Sequence, residues 1–176
     1  AGTICLVVAC SNDEPDTGNG NQDMEEVVPG TNHKILIAYF SQPLPNNVDA
    51  VTSASRVTVN GELYGSVQYV ATIINEATGG DMVRIQTLQP YPENYDDLAS
   101  QANQERQNNI HPELATNIEN FDNYDVVFIG YPIWVETAAP PIRTFLTTHD
   151  LAGKTVVPFC TSGTSSAEAS YRLVRS

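Results

Sequence analysis

The chain has 176 residues, 41% of them hydrophobic, which is typical of one globular domain with its own core. Its 21 acidic and 8 basic residues give a formal net charge of −13. Because binding to nucleic acid or to an anionic membrane surface needs Lys and Arg to meet phosphate, this composition argues against both kinds of partner.

The first 33 residues are predicted to lie outside the folded domain. Residues 1–10 are apolar but too short to span a membrane, and residues 7–10 are similar to a bacterial lipobox, in which the cysteine is lipidated after cleavage. Acidic, Gly- and Asn-rich residues follow, as in a disordered tether. We therefore expect Cys10 to be a lipid anchor that holds the protein to the bacterial cell envelope, outside the cytoplasm. The alternative is a buried strand with a free cysteine, which we favour less because no apolar pattern returns before Lys34.

The folded domain is predicted to span residues 34–176 and to begin with a buried strand. Residues 34–41 form a continuous apolar run that ends at Ser41. In a doubly wound α/β sheet this is the position where the first strand meets a phosphate group. Residues 42–64 interrupt the pattern as an insertion, and its Asn60-Gly61 pair between alternating flanks predicts a small β-hairpin.

A helix and a second strand are predicted after the insertion. Gly65, Ser66, Val67 and Gln68 open the helix, apolar residues recur at helical spacing, and Gly79-Gly80 ends it. Residues 82–86 form a short strand, which gives a βαβ unit with parallel strands. Residues 97–108 are polar and predict a solvated helix or an irregular arm of no recognisable function.

Residues 125–134 predict the central strand and one wall of a site. Residues 125–129 are mostly β-branched or aromatic, which is typical of a strand covered by helices on both faces. At Gly130 the pattern gives way to a turn in which Tyr131 and Trp134 flank Pro132. Large flat side chains then stand at the carboxyl end of the strand, where open α/β sheets bind ligands. The alternative for both rings is an ordinary core or lid position.

A fourth strand is predicted to end at the same edge of the sheet. Pro140-Pro141 suits the first turn of a helix, residues 155–160 form the strand, and Thr161, Ser162 and Gly163 begin a hydroxyl-rich loop. Residues 167–176 are predicted to begin a further helix. Ser41, Ser66 and Ser162 could equally be helix caps or turn hydroxyls, so their convergence on one place decides whether they are ligands.

Cysteine and histidine do not predict a metal or redox site. Cys5, Cys10 and Cys160 have neither zinc-site spacing nor a Cys-x-x-Cys pair, and none of the three histidines has a ligand partner near it in sequence.

In their order and spacing these segments resemble a flavodoxin, in particular the flavodoxin-like domains of bacterial envelope lipoproteins. The resemblance covers residues 34 to about 166 and rests on residues 35–41, Gly79-Gly80-Asp81, residues 124–134, Gly153-Lys154 and Thr161-Ser162-Gly163. It implies a three-layer, doubly wound parallel α/β sheet with strand order 2-1-3-4-5. Only four strands are evident, so we expect the fifth to be absent from this chain. Either the chain continues past residue 176, or the edge of the fourth strand pairs with a second copy as a homodimer.

The resemblance also implies that FMN binds non-covalently. Ser41 with Gly65, Ser66, Val67 and Gln68 matches the phosphate loop, where hydroxyls and N–H groups at a helix N-terminus hold phosphate without Lys or Arg. Tyr131, Pro132, Ile133 and Trp134 match the loop over one side of the flavin ring, and Thr161, Ser162 and Gly163 match the loop at its polar edge. This chain departs from the family pattern in the insertion between Ser41 and Gly65 and in Val67-Gln68, which replaces an Asn-Thr pair.

Two functions follow as expectations. The first is an FMN-binding, envelope-tethered protein of electron transfer, or an FMN-dependent oxidoreductase, whose redox partner is a protein or a small-molecule acceptor. No G-x-G-x-x-G motif for a nicotinamide cofactor is present. The alternative is a flavodoxin-fold lipoprotein that has lost flavin binding and binds a partner through its hairpin and acidic face.

Overall fold

The structure, a computed structural model, describes residues 6–9, 27–28, 31–43, 55–163 and 165–175. The strands in chain order are β1 (Leu6–Ala9), β2 (Val27–Val28), β3 (Ile35–Tyr39), β4 (Arg56–Val59), β5 (Glu62–Gly65), β6 (Asp81–Arg84), β7 (Val126–Trp134), β8 (Thr137–Ala138) and β9 (Thr155–Ser162). The helices are α1 (Ser66–Thr78), α2 (Tyr95–Gln107), α3 (Pro140–Thr148) and α4 (Glu168–Arg175), with a 3-10 turn at Phe121–Asn123.

Seven of the described strands form one sheet, and β4 and β5 form a separate hairpin. The order across the sheet is β1-β9-β7-β3-β6-β2, and β8 pairs with β7 outside that path. Across the sheet, each neighbouring pair in the series β1, β9, β7, β3 and β6 is parallel. In contrast, β2 pairs antiparallel with β6, and β8 pairs antiparallel with β7. The five parallel strands, taken across the sheet as β6-β3-β7-β9-β1, occupy the five positions of the predicted doubly wound order 2-1-3-4-5. In that order β3 takes the first position and β1 takes the fifth. The predicted fold class is confirmed.

The expectation that the fifth strand is absent was wrong. Leu6–Ala9 pairs in parallel with β9, from Leu6 opposite Phe159 to Ala9 opposite Ser162, and so takes the fifth position. The physical reason is the open edge of β9, whose unpaired N–H and C=O groups accept a short apolar strand. The edge of the fourth predicted strand, which a second copy was to cover in one of our two alternatives, is therefore paired within the chain from Phe159 to Ser162.

The predicted tether of residues 1–33 also needs correction. Besides Leu6–Ala9, Val27–Val28 pairs antiparallel with Met82 and Val83 of β6, so two parts of this segment belong to the sheet. The sequence pattern missed Val27–Val28 because two residues are too few to show a period. Cys10, the predicted lipid anchor, lies outside the described residues.

Helices cover both faces of the sheet, which gives the three predicted layers. Alternate residues of β3 point to opposite faces, so Leu36 and Ala38 join one core and Ile37 and Tyr39 the other. The core of Leu36 and Ala38 is closed by α2, α3 and α4, through residues that include Leu98, Ile142, Phe145 and Leu173. The second core is closed by α1, through Val67, Val70 and Ala71.

The central strand is longer than predicted. We expected a turn at Gly130, but β7 continues to Trp134 and pairs with β9 as far as Pro132, opposite Thr161. Gly130 is needed inside this strand because a Cβ there would lie 2.2 Å from the ring of Phe159 on β9. The aromatic end of the strand is thereby part of the sheet.

The insertion forms the predicted hairpin, and the helix after it begins at once. β4 and β5 pair antiparallel on either side of the Asn60-Gly61 turn, and Gly65 is both the last residue of β5 and the N-cap of α1. Gly79, with φ of 65°, ends α1 in the left-handed conformation that glycine adopts without strain. The hairpin is therefore joined to α1 without a linker.

At the amino end of the sheet, polar side chains satisfy one another. Asp81, which is 8% exposed, accepts a hydrogen bond of 3.0 Å from the Tyr124 hydroxyl, and one of its oxygens lies 3.2 Å from Nδ1 of His33. Lys154 donates to the carbonyl oxygens of Asp122 and Tyr124, at 3.1 and 2.7 Å. No helix in the described ranges is long and apolar enough to cross a bilayer.

Candidate functional site

A cavity of about 340 Å³ lies at the carboxyl end of the sheet, between the ends of β7 and β9. Its lining includes six of the predicted site residues: Pro132, Ile133, Trp134, Thr161, Ser162 and Gly163. These come from two loops that are distant in sequence but adjacent in the sheet, because β7 and β9 are parallel neighbours. The structure therefore brings together the two walls that the sequence predicted separately.

Trp134 is held in place by two other aromatic rings. Its ring centroid lies 5.3 Å from that of Phe40 and 5.1 Å from that of Tyr91, and both contacts are edge-to-face. Phe40 and Tyr91 are themselves in edge contact, at 5.9 Å. Edge-to-face contacts are favourable for aromatic rings, so the half-buried Trp134 borders the cavity with a fixed orientation.

Tyr131 does not belong to the cavity wall. It is fully buried in the core, and its hydroxyl lies 3.4 Å from Oγ of Ser170 on α4. Trp134 packs against the same core from its margin, whereas Tyr131 is enclosed within that core and is not among the residues that line the cavity. The prediction of Tyr131 as a ring-covering residue was therefore wrong.

The turn after Trp134 is strained. Val135 and Glu136 join β7 to β8 and both have positive φ, of 48° and 67°. A two-residue hairpin loop with positive φ at both positions favours Asn and Gly, and a β-branched residue there is an outlier. Both residues line the cavity, and such strain is concentrated at ligand sites.

The opposite wall is a helix whose role the sequence did not reveal. Residues 97–108 were predicted as a solvated helix or an arm, but α2 turns Tyr95, Leu98, Ala99 and Ala102 toward the cavity. The signal in the sequence was present but weak, since Leu98 and Ala102 are the apolar residues at i and i+4 in a polar segment.

A buried carboxylate fixes α2 against the aromatic rings. Glu105 is 7% exposed and accepts hydrogen bonds from the Tyr91 hydroxyl, at 2.5 Å, and from the Gln101 amide, at 2.8 Å. Burial, and secondarily the contact with Glu105, raises the pKa of Tyr91 well above its usual range. Tyr91 thus links α2 directly to Trp134.

Two buried hydroxyls lie at the other end of the site. Ser41 is 3% exposed and Ser66 is 1% exposed, and the Oγ of each lacks a hydrogen-bond partner within the described residues. Ser41 packs closely against Gly65, the residue before Ser66, since a Cβ at Gly65 would lie 2.1 Å from Ser41 Oγ. Ser41 and Gly65 are thus in contact although 23 residues of insertion, 42–64, separate them. The predicted convergence of Ser41, Ser66 and Ser162 on one ligand stays a prediction.

The side chains of Val67 and Gln68 serve other purposes. Val67 is buried against Val70 and Ala71, and Gln68 accepts a hydrogen bond from the Gly65 N–H through its Oε1, at 3.3 Å. What Val67 and Gln68 can offer a ligand is their backbone N–H groups, in the first turn of α1. Gly65 has no side chain with which to cap them, and this turn has no acidic residue.

The cavity reaches the sequence neighbours of Ser41 and of the hairpin. Gln42 and Ser55 also line the cavity, and they adjoin Ser41 and the hairpin in sequence. Ser55 in addition accepts a hydrogen bond of 2.9 Å from the N–H of Ser66 through its carbonyl. Arg84, which the sequence did not single out, donates to the carbonyl of Ser41 at 3.0 Å.

The hydroxyl of Ser162, in the second loop of the cavity, is paired within its own loop. The Ser162 hydroxyl donates to the carbonyl of Ser165 at 2.7 Å, so it is a turn hydroxyl, as the alternative interpretation had it. Among the described residues, His, Cys, Asp and Glu nowhere gather in a group of three or more that could hold a metal ion.

The chain matches the family model for flavodoxin over residues 57–176. Among solved structures it is similar to a candidate flavoprotein from Bacteroides eggerthii, with 36% identity over 82% of this chain and 80% of that one and a TM-score of 0.63. A candidate flavoprotein from Bacteroides uniformis is 29% identical over 81% of both chains, with a TM-score of 0.61.

A third structure shares the fold at lower identity. The flavoprotein of Lactobacillus acidophilus in complex with FMN is 22% identical over 80% of this chain and 83% of that one, with a TM-score of 0.62. A search of curated proteins yields no match to this chain.

Proposed function

Since this chain belongs to the flavodoxin family, we propose that it binds FMN non-covalently and transfers electrons through it, as a carrier or as an oxidoreductase. The observation that carries the proposal is the pair of buried hydroxyls, Ser41 and Ser66, at the N-terminus of α1. A buried hydroxyl without a partner costs free energy, so its retention here fits a site whose partner is a ligand. The similar flavoprotein of Lactobacillus acidophilus, in complex with FMN, supports the choice of ligand.

The phosphate group of FMN fits the end of the site at α1. The hydroxyls of Ser41 and Ser66 would donate to it, together with the N–H groups of Val67 and Gln68. The first turn of a helix carries a partial positive charge, and no acidic side chain opposes it here. The absence of a Cβ at Gly65 leaves room for Ser41 Oγ beside that turn.

The flavin ring fits the cavity between the two loops. Trp134 would cover part of one side, with Thr161 and Gly163 on the loop opposite. The apolar face of α2 excludes water from this space. Bound FMN supplies the one- and two-electron chemistry, and the chain binds it, orients it and sets its surroundings.

The residues that line the cavity favour electron transfer over acid–base catalysis. Among the described lining residues Glu136 is the only carboxylate, and neither histidine nor cysteine is present. The protein therefore contributes few groups that exchange protons near neutral pH.

Titration of the purified protein with FMN tests the proposal. We expect saturable binding of one FMN per chain, with quenching of flavin fluorescence by Trp134. The reduced complex should then pass electrons to an acceptor, and a comparison of a one-electron protein acceptor with a quinone separates a carrier from an oxidoreductase. If FMN does not bind even at high concentration, the alternative of a flavodoxin-fold binding module takes its place.

Attachment to the cell envelope through Cys10 remains part of this proposal. Lipidation of a lipobox cysteine follows cleavage just before it, which would separate Leu6–Ala9 from the chain. Lipidation and the pairing of Leu6–Ala9 with β9 therefore exclude each other in one molecule. A Cys10→Ala variant of the precursor, expressed in a bacterium with lipoprotein processing, should leave the membrane fraction. If it still partitions with membranes, the anchor is not at Cys10.

A further inference from the structure

Glu105 is a buried acid on a helix that is otherwise mostly polar and exposed. The three buried residues of α2 are Leu98, Ala102 and Glu105, which share one face at helical spacing. Glutamate is seldom buried, because its carboxylate loses hydration there. Apolar side chains of the same shape can replace a buried hydrogen-bonded pair at little cost in stability. The bonds of Glu105 therefore indicate an arrangement that they fix rather than stability that they add.

Each oxygen of the Glu105 carboxylate has its own donor. Oε2 accepts from the Tyr91 hydroxyl at 2.5 Å, and Oε1 accepts from the Gln101 amide at 2.8 Å. Gln101 lies one turn earlier on the same helix, so its amide fixes the carboxylate with respect to α2. The Tyr91 hydroxyl is thereby held to one point on that helix.

The bond to Glu105 reaches Trp134 through the Tyr91 ring. Tyr91 and Phe40 are buried, and both meet the Trp134 ring edge-to-face, with centroids 5.1 and 5.3 Å away. Of these three rings, Trp134 is the one that lines the cavity. Tyr91 lies between β6 and α2, outside any helix or strand, so its bond to Glu105 ties the ring to a regular element. The orientation of Trp134 at the cavity therefore depends on that bond.

The same helix forms another part of the cavity wall. Leu98, Ala99 and Ala102 line the cavity, and Ala102 lies one turn before Glu105. One hydrogen bond thus joins the part of the wall on α2 to the ring that supports Trp134, at the end of β7.

We propose that Glu105 and Tyr91 are positioning residues for the flavin ring, because their hydrogen bond holds Trp134 in its binding orientation before the flavin arrives. The inference rests on the proposed binding of FMN and concerns its ring. A site that is already ordered loses less conformational entropy on binding, so its affinity is higher. Without the bond, the Trp134 ring must be ordered when the flavin binds.

The fluorescence of Trp134 tests the positioning directly, without flavin. Trp134 is the only tryptophan of the chain, so the signal reports on this ring alone. Tyr91→Phe keeps the Tyr91 ring and removes only its hydroxyl. We expect a larger fast component in the time-resolved anisotropy of this variant than in the wild type, because side chains that are not held move in picoseconds to nanoseconds. An unchanged anisotropy overturns the inference.

Flavin titration tests what the positioning does for binding. In Tyr91→Phe the dissociation constant for FMN should rise by about threefold to tenfold, the range for ordering one side chain on binding. Riboflavin has the same ring without the phosphate, so its constant should rise by the same factor. A loss confined to FMN places the effect at the phosphate and overturns the inference.

The Trp134→Ala background separates positioning from a general effect on the fold. With no ring to position, adding Tyr91→Phe should change the dissociation constants of both flavins by less than about 1.5-fold. If Tyr91→Phe weakens binding by the same factor with and without Trp134, it does not act through Trp134 and the inference is overturned.

Tyr124→Phe is the matched control. It also removes a hydroxyl that is bonded to a carboxylate, that of Asp81 at 3.0 Å, but at the amino end of the sheet. It should leave the anisotropy of Trp134 and both dissociation constants as they are in the wild type.

Glu105→Gln covers the case in which Tyr91→Phe does not fold. Glutamine has nearly the same shape and keeps an oxygen for the Tyr91 hydroxyl, but the bond loses its ionised acceptor, so the same shifts should appear at smaller size. If folded Glu105→Gln and Tyr91→Phe bind both flavins as the wild type does, the positioning role alone is refuted. If the wild type binds neither flavin, the proposed function fails, and this inference with it.

Discussion

The two ends of the central sheet treat their buried polar groups in opposite ways. At the amino end, Asp81 has the Tyr124 hydroxyl and the His33 ring as partners. At the carboxyl end, the hydroxyls of Ser41 and Ser66 are buried more deeply, yet no described group bonds to them.

This difference suggests that the amino end of the sheet contributes mainly to the stability of the fold and the carboxyl end mainly to ligand binding. A satisfied buried group stabilises the fold, whereas an unsatisfied one lowers stability unless a ligand binds to it. Substitutions at the amino end should therefore change unfolding and leave FMN binding alone. Substitutions of the unsatisfied hydroxyls at the carboxyl end should weaken FMN binding without lowering the stability of the flavin-free protein.

The largest effect is expected from Asp81→Ala, at the amino end. It removes the acceptor of the Tyr124 hydroxyl and leaves that group partly buried, which should lower the free energy of unfolding by about 2 kcal/mol. Urea unfolding measures the loss. Asp81→Asn keeps one acceptor oxygen and should lose less. The dissociation constant of FMN for the folded protein should stay within about twofold, and a larger change would break the separation of the two ends.

The next effect is expected from Trp134→Ala, at the carboxyl end. Loss of stacking against a flat aromatic ligand typically costs about 1–3 kcal/mol, so FMN should bind roughly tenfold to a hundredfold more weakly. Fluorescence titration measures this, and the flavin in the complex should fluoresce more strongly.

Riboflavin provides the control for Trp134→Ala. It shares the flavin ring with FMN, so its affinity should fall by the same factor. Trp134→Phe keeps an aromatic ring and should restore most of the binding. If FMN alone is affected, Trp134 does not contact the flavin ring.

The sequence predicted the site better where neighbouring strands supply it than where distant segments meet. Trp134 and Thr161 follow buried apolar runs, and parallel neighbours must end at one edge. Tyr131 was misassigned because the pattern implied a turn at Gly130, while the strand continues and its alternation turns that ring into the core. The fold class was predicted correctly because the buried apolar runs and the resemblance to flavodoxins indicated the same parallel sheet.

Other features depend on tertiary contacts that leave no local pattern. Leu6–Ala9 is assigned to the sheet only because β9 has an open edge. Arg56 reads as an ordinary strand residue in the sequence, and its burial is evident only in the structure. Glu105 is one acid in a polar helix until its bond to Tyr91 is known.

Ser41→Ala and Ser66→Ala should have smaller effects, which raise the stability of the flavin-free protein and lower its affinity for FMN. Each removes a buried hydroxyl without a described partner, so the flavin-free protein should become more stable, by about 1 kcal/mol or less. FMN should bind severalfold more weakly, because a donor to the phosphate is lost. Thermal unfolding without FMN and titration with it measure the two quantities on the same sample. A loss of stability in the flavin-free variants would show that these hydroxyls already have partners.

The smallest effect is expected from Tyr124→Phe, through the pH dependence of stability. Burial, and then the bond to Asp81, raises the pKa of Tyr124 from its ordinary value near 10 to about 12. The unfolded chain loses this proton from about pH 10, while the folded protein keeps it until about pH 12, so stability falls as pH rises through that window. Tyr124 is partly exposed and screened by solvent, so the loss should stay below about 1 kcal/mol. Tyr91 contributes a similar decline to both proteins, and urea unfolding at pH 9 and pH 11 should therefore show a shallower loss in Tyr124→Phe than in the wild type. Equal losses would mean that the hydrogen bond to Asp81 does not raise the pKa of the Tyr124 hydroxyl. The buried polar groups at the amino end of the sheet would then be less fully hydrogen-bonded than their geometry indicates.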